Sequence, residues 1–177
     1  LDLAGRLGRF CGQYVHDNVS SLEVTYGGEV TARNTDLLTS ALLAGLLTEV
    51  SDVPVNVVNA RVLAGERGIA VTEVRTPDAE SFDHLVTLRV AAAAGPLIVS
   101  GSVMRGQPHI VRVGEHWFDF LAAGDLLVSE HTEQPGIIGQ MGTLLGEHGV
   151  SIAFVQVGRQ ARGGPGLMIL GLDDPLD

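Results

Sequence analysis

The spacing of apolar residues divides the chain into a helical beginning and a remainder rich in strands. Leu3, Leu7, Phe10 and Tyr14 follow the helical period, which predicts an amphipathic helix over residues 1–16. The next segment, LEVTYGGEV, alternates with a period of two and ends in two glycines, which is typical of a strand that runs into a turn.

Two more helices are predicted before this pattern changes. Thr35 and Asp36 can cap a helix containing LLTSALLAGLL, which is apolar nearly all round, so we expect it to be buried on more than one side. After Pro54, the segment VNVVNARVLAGERG predicts a third helix with Gly68 as its C-terminal cap. Its polar side chains either brace the helix or shape a contact between domains: Asn56, Asn59 and Arg61.

From Ile69 onward the period becomes two, which predicts a series of strands. The segments are IAVTEV, FDHLVTLRVAAAA, LIVSGSVM, HIVRV and HWFDF, and turn residues separate most of them. Short intervals between strands favour an antiparallel meander. Residues 1–123 are therefore predicted to form an α+β domain in which helices precede the sheet.

A second domain is predicted over residues 124–177. The Ala-Ala-Gly segment at 122–124 is the best boundary, and the strands and helix after it follow in the order β-α-β-β. That order fits a ferredoxin-like unit that lacks its last helix and strand. The chain also begins without Met, and we expect it to be a segment of a longer protein.

The glycine-rich stretch HTEQPGIIGQMGTLLGEHGV raises the alternative of a phosphate-binding loop. It lacks both the G-x-G-x-x-G spacing and the Gly-Lys-Ser/Thr ending of such loops, and no lysine or arginine lies between Glu130 and Gln156. A helix with Gly149 as its cap explains the pattern better. Its internal glycines cost helix stability, so we expect them to lie close to a sheet or another backbone.

Composition and charge exclude several classes of protein. The chain has 177 residues and a formal net charge of −10, which argues against binding to nucleic acid or to anionic membranes. Cys11 is the only cysteine, so neither an internal disulfide nor a cysteine-ligated metal site can form. The histidines lack the spacing of metal ligands, and no set of residues assembles a catalytic site. Without a signal peptide or an apolar span, we expect a cytoplasmic location.

Two parts of the sequence resemble a known family. A strand that ends in His-x-Glu-x-Pro-Gly, followed by a helix and then Gly-Val-Ser-Ile, resembles the ACT domain, a module that binds amino acids, usually across a subunit interface. Upstream, LEVTYGGEV, DLLTSALLAGLL and VNVVNARVLAGERGIAV resemble the intervening domain of long-form D-3-phosphoglycerate dehydrogenases. Together these motifs cover nearly the whole chain.

The resemblance implies a regulatory role rather than an enzymatic one for this segment. The parent enzyme would oxidise 3-phosphoglycerate with NAD in the first step of L-serine synthesis. The segment itself would hold no cofactor, bind an amino-acid effector such as L-serine, and join subunits into a homo-oligomer. The alternatives are the regulatory domain of an L-serine dehydratase and a free-standing ACT protein that senses a small molecule.

The resemblance also implies an effector site. Its positions correspond here to His131, Glu133 and Ser151, with backbone amides around Gly136 facing the effector carboxylate. Ser151 stands where the family has Asn, and Glu133 replaces a shorter side chain. These two departures change the hydrogen-bonding groups that the site offers to an effector.

A candidate anion-binding site lies in the first domain. Arg105, His109 and Arg112 concentrate positive charge in the segment MRGQPHIVR of an otherwise acidic chain. The resemblance suggests a pocket for a phosphorylated substrate or another anion in this domain. The alternative is a solvated sheet face on which these side chains pair with Glu115 or Asp119.

Overall fold

The computed structural model describes residues 1–15, 19–93 and 95–176 and has an α+β fold, as predicted. The chain forms two compact units. The first contains residues 1–114 and 119–122, and the second contains residues 115–118 and all residues from 123 onward. The chain passes from the first unit to the second between residues 122 and 123, within the Ala-Ala-Gly segment at 122–124.

The helices and strands follow the predicted order along the chain, with one additional short 3-10 helix. The helices are α1 (Asp2–Tyr14), α2 (Asp36–Thr48), α3 (Ala60–Glu66) and α4 (Ile137–Glu147), with a 3-10 helix at Glu29–Ala32. The strands are β1 (Val19–Gly28), β2 (Ala70–Thr76), β3 (His84–Ala92), β4 (Gly95–Met104), β5 (Gln107–Val113), β6 (His116–Leu121), β7 (Asp125–Thr132), β8 (Ile152–Arg159) and β9 (Pro165–Leu172). The end of the predicted first helix, residue 16, lies outside the described residues.

The larger sheet has the order β2-β1-β3-β4-β5-β6. Strand β1 pairs antiparallel with β3 and was not part of the meander predicted from Ile69 onward. The antiparallel pairing of β3 with β4 and of β4 with β5 agrees with that prediction. The position of β2 does not, because it pairs in parallel with β1 at the edge of the sheet. The helical connection through α2 and α3 is a crossover, which returns the chain parallel to the strand it left.

The helices α1 and α2 pack with their backbones almost in contact. A Cβ atom on Gly8 would lie 2.0 Å from the carbonyl oxygen of Leu42, and one on Gly45 would lie 2.2 Å from that of Gly5. Eight residues of α2 are buried, which confirms the prediction that this helix is covered on more than one side. The close approach therefore depends on glycine in both helices.

The third helix is shorter than predicted because two asparagine side chains bind the backbone before it. Oδ1 of Asn56 accepts hydrogen bonds from the amides of Val58 and Asn59, and Oδ1 of Asn59 accepts one from the amide of Asn56. Such side-chain bonds compete with helix formation. The predicted cap at Gly68 is confirmed, since its φ is +72° and the next amide bonds to the carbonyl of Ala64.

The second unit contains a three-stranded antiparallel sheet in the order β7-β9-β8. Helix α4 packs on it around Leu145, Met168 and Leu170. Gly149 lies two residues after the end of α4 and has a φ of +72°, as expected for the predicted glycine cap. The internal glycines of α4 are Gly139, Gly142 and Gly146. They were expected to lie close to a sheet or another backbone, but within this chain a Cβ atom on any of them would have no neighbour within 4 Å.

Candidate functional site

His131 lies at the end of β7, where its ring is directed inward over β9. It is paired in register with Gly166, and a Cβ atom on Gly166 would lie 2.8 Å from Nε2 of the histidine. Nδ1 is 3.3 Å from the carbonyl oxygen of Ser129. Nε2 is buried, and no group among the described residues forms a hydrogen bond with it. The imidazole therefore keeps one ring nitrogen unused, and only a change of rotamer would turn that nitrogen to solvent.

Glu133 follows β7 and is bound on both of its carboxylate oxygens. Oε1 accepts a hydrogen bond from Nη1 of Arg159, and Oε2 accepts one at 2.8 Å from the amide of Gly163. The backbone amide of Glu133 donates to the carbonyl of Gly164. We call this set of contacts the Glu133 clasp. Hydrogen bonding from Gly163 and the charges of Arg159 and Arg162 hold the pKa of Glu133 below its usual value.

Ser151 does not lie beside His131 and Glu133. It precedes β8, and its carbonyl oxygen accepts a hydrogen bond from Asp173, just after β9 ends at Leu172. His131 pairs with Gly166 at the opposite end of β9, so the two ends are roughly 20 Å apart along the strand. One small ligand cannot contact His131 and Ser151 of the same protomer.

Gly136 lies at the N-terminal cap of α4 rather than inside the helix. Its φ of +88° is in the left-handed region, and the amide of Gln140 donates to its carbonyl. Pro135 therefore lies before the helix begins. The exposed amide end of α4 follows the Glu133 clasp by only three residues.

The three residues of the candidate anion site are only partly brought together. Arg105 lies in the turn between β4 and β5, with a φ of +52°. On β5, a β-bulge shifts the register between Ser100 and Gly101 of β4, so that Arg112 pairs with Ser100 and His109 with Ser102. Ser100 and Ser102 are two residues apart in the strand, so their side chains lie on the same face of the sheet. His109 and Arg112, which pair with them, share that face.

Internal partners occupy both side chains on this face of β5. Nδ1 of His109 is 2.6 Å from Oδ1 of Asp119, and Nε of Arg112 donates to the carbonyl oxygen of Gly114 at 2.9 Å. The pairing of His109 with Asp119 is the one named in the alternative of a solvated, ion-paired sheet face. Binding of an anion here stays a prediction, and the Asp119 carboxylate opposes it electrostatically.

A polar cluster at the β2 edge was not predicted from the sequence. Arg61 donates to Oε1 of Glu73 at 2.7 Å and to the hydroxyl of Ser40 at 3.2 Å. The buried hydroxyl of Thr35 donates to Oε2 of Glu73 and accepts from Arg75. We call this the Glu73 cluster. Its members come from the start of α2, from α3 and from β2, so no spacing along the chain could reveal the whole cluster.

The Glu73 cluster bears on two predictions about the helices. Thr35 occupies the cap position of α2, but its side chain binds Glu73 rather than the helix. Arg61 braces α3 against α2 and β2, as one of the two alternatives predicted. Partial burial acts to raise the pKa of Glu73, but hydrogen bonds from Arg61, Thr39 and Thr35 outweigh it and lower that pKa.

Other candidate chemistry is limited in the part of the chain that the structure describes. No three His, Cys, Asp or Glu side chains within it lie close enough to hold a metal ion. None of its helices combines the length and apolar character needed to cross a membrane. Cys11 is fully buried in α1, and burial raises the pKa of its thiol to about 12, so it is a core residue rather than a nucleophile.

Comparison with known proteins identifies the first part of the chain most specifically. Residues 1–114 match the family model of the D-3-phosphoglycerate dehydrogenase intervening domain. This range covers α1 to β5, which is most of the first unit.

Similar curated proteins align with nearly the whole chain. It is 33% identical to a D-3-phosphoglycerate dehydrogenase of Methanocaldococcus jannaschii, with 97% of this chain and 32% of that protein aligned. The corresponding enzyme of Bacillus subtilis is 31% identical, over 99% of this chain and 34% of its own length. The D-3-phosphoglycerate dehydrogenase of Mycobacterium bovis is 33% identical, over 98% of this chain and 33% of that protein. The chain thus spans about a third of the length of these relatives.

Proposed function

Because the chain belongs to the D-3-phosphoglycerate dehydrogenase family, we propose that it is the regulatory and oligomerisation region of such an enzyme. The remaining two thirds of the parent protein would carry out the NAD-dependent oxidation of 3-phosphoglycerate in the cytoplasm. Within this segment the second unit would act as an ACT-type module that binds an amino-acid effector, with L-serine as the first candidate. The similarity to dehydrogenases along nearly the whole chain favours this proposal over an L-serine dehydratase or a free-standing sensor.

The separation of Ser151 from His131 and Glu133 carries the proposal that the site is shared between subunits. The two ends of β9 are too far apart for one amino acid to bridge. A ligand held by all three side chains must therefore lie between two copies, with His131 and Glu133 from one and Ser151 from the other. Effector binding would then favour the associated state by binding it more tightly than the free subunits.

We expect isothermal titration calorimetry to detect saturable binding of L-serine to this chain at millimolar concentration. Ser151→Asn should tighten binding by about tenfold, because the amide side chain is longer than the hydroxyl and offers two N–H donors as well as a separate acceptor oxygen. Ser151→Ala should weaken it by a similar factor, and D-serine is the control ligand. Absence of heat with both the parent chain and Ser151→Asn would contradict the effector site.

The shared site also predicts self-association. Light scattering in the presence of L-serine should give a mass of at least twice the 18.6 kDa of one chain. A monomer that nevertheless binds L-serine would show that the site is built within one protomer, and our assignment of Ser151 would be wrong.

A further inference from the structure

The Glu133 clasp places opposite charges side by side within the proposed effector site. Glu133 precedes α4 and Arg159 ends β8, 26 residues later in the chain. The loop after β8 contributes the Gly163 amide to the same carboxylate, so the position of the acidic side chain is fixed from two directions. The side chain of Glu133 is 18% exposed and that of Arg159 is 53% exposed, which leaves both charged groups open to solvent on one side.

Both charged groups keep hydrogen-bonding capacity within this arrangement. Each carboxylate oxygen can accept two hydrogen bonds, and the contacts of the clasp use one on each oxygen of Glu133. A guanidinium has five N–H donors, and Glu133 accepts from one of the two on Nη1 of Arg159. An incoming ammonium can therefore bind Glu133, and an incoming carboxylate can bind Arg159, without breaking the pair.

We infer that the Glu133–Arg159 pair is the specificity determinant of the effector site and selects a zwitterionic α-amino acid over a free carboxylate or a free amine. This inference rests on the proposed function of the second unit. A lone carboxylate that binds Arg159 also meets the negative charge of Glu133, and a lone amine that binds Glu133 meets the positive charge of Arg159. An amino acid carries both charges on one carbon, so each of its ends finds an opposite charge.

The pairing with Arg159 allows Glu133 to take part in binding an amino acid. The negative charge of Glu133 alone would repel the carboxylate of any amino acid. Arg159 offsets that charge within the protomer. It acts on ligand selection both directly, through its remaining donors, and indirectly, by holding Glu133 in place.

The test compares three ligands on the full 177-residue chain. L-serine carries both charges, 3-hydroxypropionate lacks the ammonium, and ethanolamine lacks the carboxylate. Calorimetry should show L-serine binding at least about tenfold more tightly than either analogue, a difference equal to one charge-assisted hydrogen bond. The NMR signal of the Gly163 amide, which bonds to Glu133, should shift with L-serine alone.

Single substitutions should change the preference between ligands and not only the overall affinity. Arg159→Gln should reduce the preference for L-serine over ethanolamine to within about threefold, and Glu133→Gln should do the same for L-serine over 3-hydroxypropionate. Arg162→Gln is the matched control, since Arg162 lies in the same loop and acts on Glu133 only through its charge. This control should keep the parent preferences.

These measurements distinguish a failure of the Glu133–Arg159 pair as specificity determinant from a failure of the proposed effector site. Binding of L-serine with the same ligand preferences in Arg159→Gln as in Arg162→Gln overturns the inference and leaves the effector site standing. Equal affinity of the parent chain for L-serine and 3-hydroxypropionate also overturns it. Failure of all three ligands to bind the parent chain overturns both. Each readout is a ratio of the affinities for two ligands measured on the same folded sample. A loss of order in β8 and the loop after it therefore cannot imitate the expected result.

Discussion

Replacing Gly8 with alanine should destabilise the first unit by about 3 kcal/mol, because the new methyl group has no space. Its Cβ would lie 2.0 Å from the carbonyl oxygen of Leu42 and 2.9 Å from the amide nitrogen of Leu46. Both atoms are backbone, so no side-chain rotation can relieve the overlap and the two helices must separate. The gain of about 1 kcal/mol in helix propensity offsets only part of this cost.

The measurement is the free energy of unfolding in urea, with hydrogen exchange of α1 and α2 to assign the change to the first unit. Gly142→Ala in α4 is the matched control, since nothing lies within 4 Å of the added atom. It should raise stability by about 1 kcal/mol in the monomer. Equal stability of Gly8→Ala and the parent chain would show that the helices are not packed as described.

Replacing Glu73 with glutamine should cost about 2 kcal/mol at neutral pH, since it removes the charge that Arg61 and Thr35 bind. The carboxylate is only 21% exposed, so water replaces these partners poorly. Thr35 is fully buried and depends on Glu73 to accept its hydrogen bond. The effect should therefore extend to the start of α2.

The pKa of Glu73 gives this prediction a pH dependence with a definite sign. In the folded state the pKa lies below its ordinary value of 4.5, so the charged cluster adds stability above that pH. That contribution is lost as the pH falls through the folded value. The difference between the parent chain and Glu73→Gln should accordingly shrink on going from neutral pH to about pH 3.

Urea denaturation at the two pH values measures this difference. Glu66→Gln, an exposed acid on α3, is the control and should leave the free energy of unfolding within about 0.5 kcal/mol of the parent at both values. A cost for Glu73→Gln that does not depend on pH would mean that shape rather than charge holds the cluster together.

Local sequence patterns were sufficient for most of the secondary structure. The apolar character of α2 on all sides predicted its burial, and Gly68 and Gly149 predicted where two helices end. In each case the information lies within a few residues, because helical period and positive φ are properties of a short segment. The motifs around these elements also carried the family resemblance, which the comparisons confirm.

Glycines show where such local reasoning stops. Those in α4 were expected to lie close to a sheet or another backbone, and within this chain they face open space. The close approach occurs instead between Gly8 of α1 and Gly45 of α2. A missing side chain permits contact but does not specify the partner, so only the packing of two distant segments could decide which glycines are essential.

The sequence by itself determined the elements and their order, and it named His131, Glu133 and Ser151 but not Arg159 as candidate site residues. Tertiary structure decided that β2 lies beside β1, that Ser151 is at the far end of the sheet from His131, and that Arg159 binds Glu133. Elements form from periodicities that span a few residues, whereas ion pairs and strand order join residues far apart in the chain. The geometry of such pairs depends on how all the intervening elements pack.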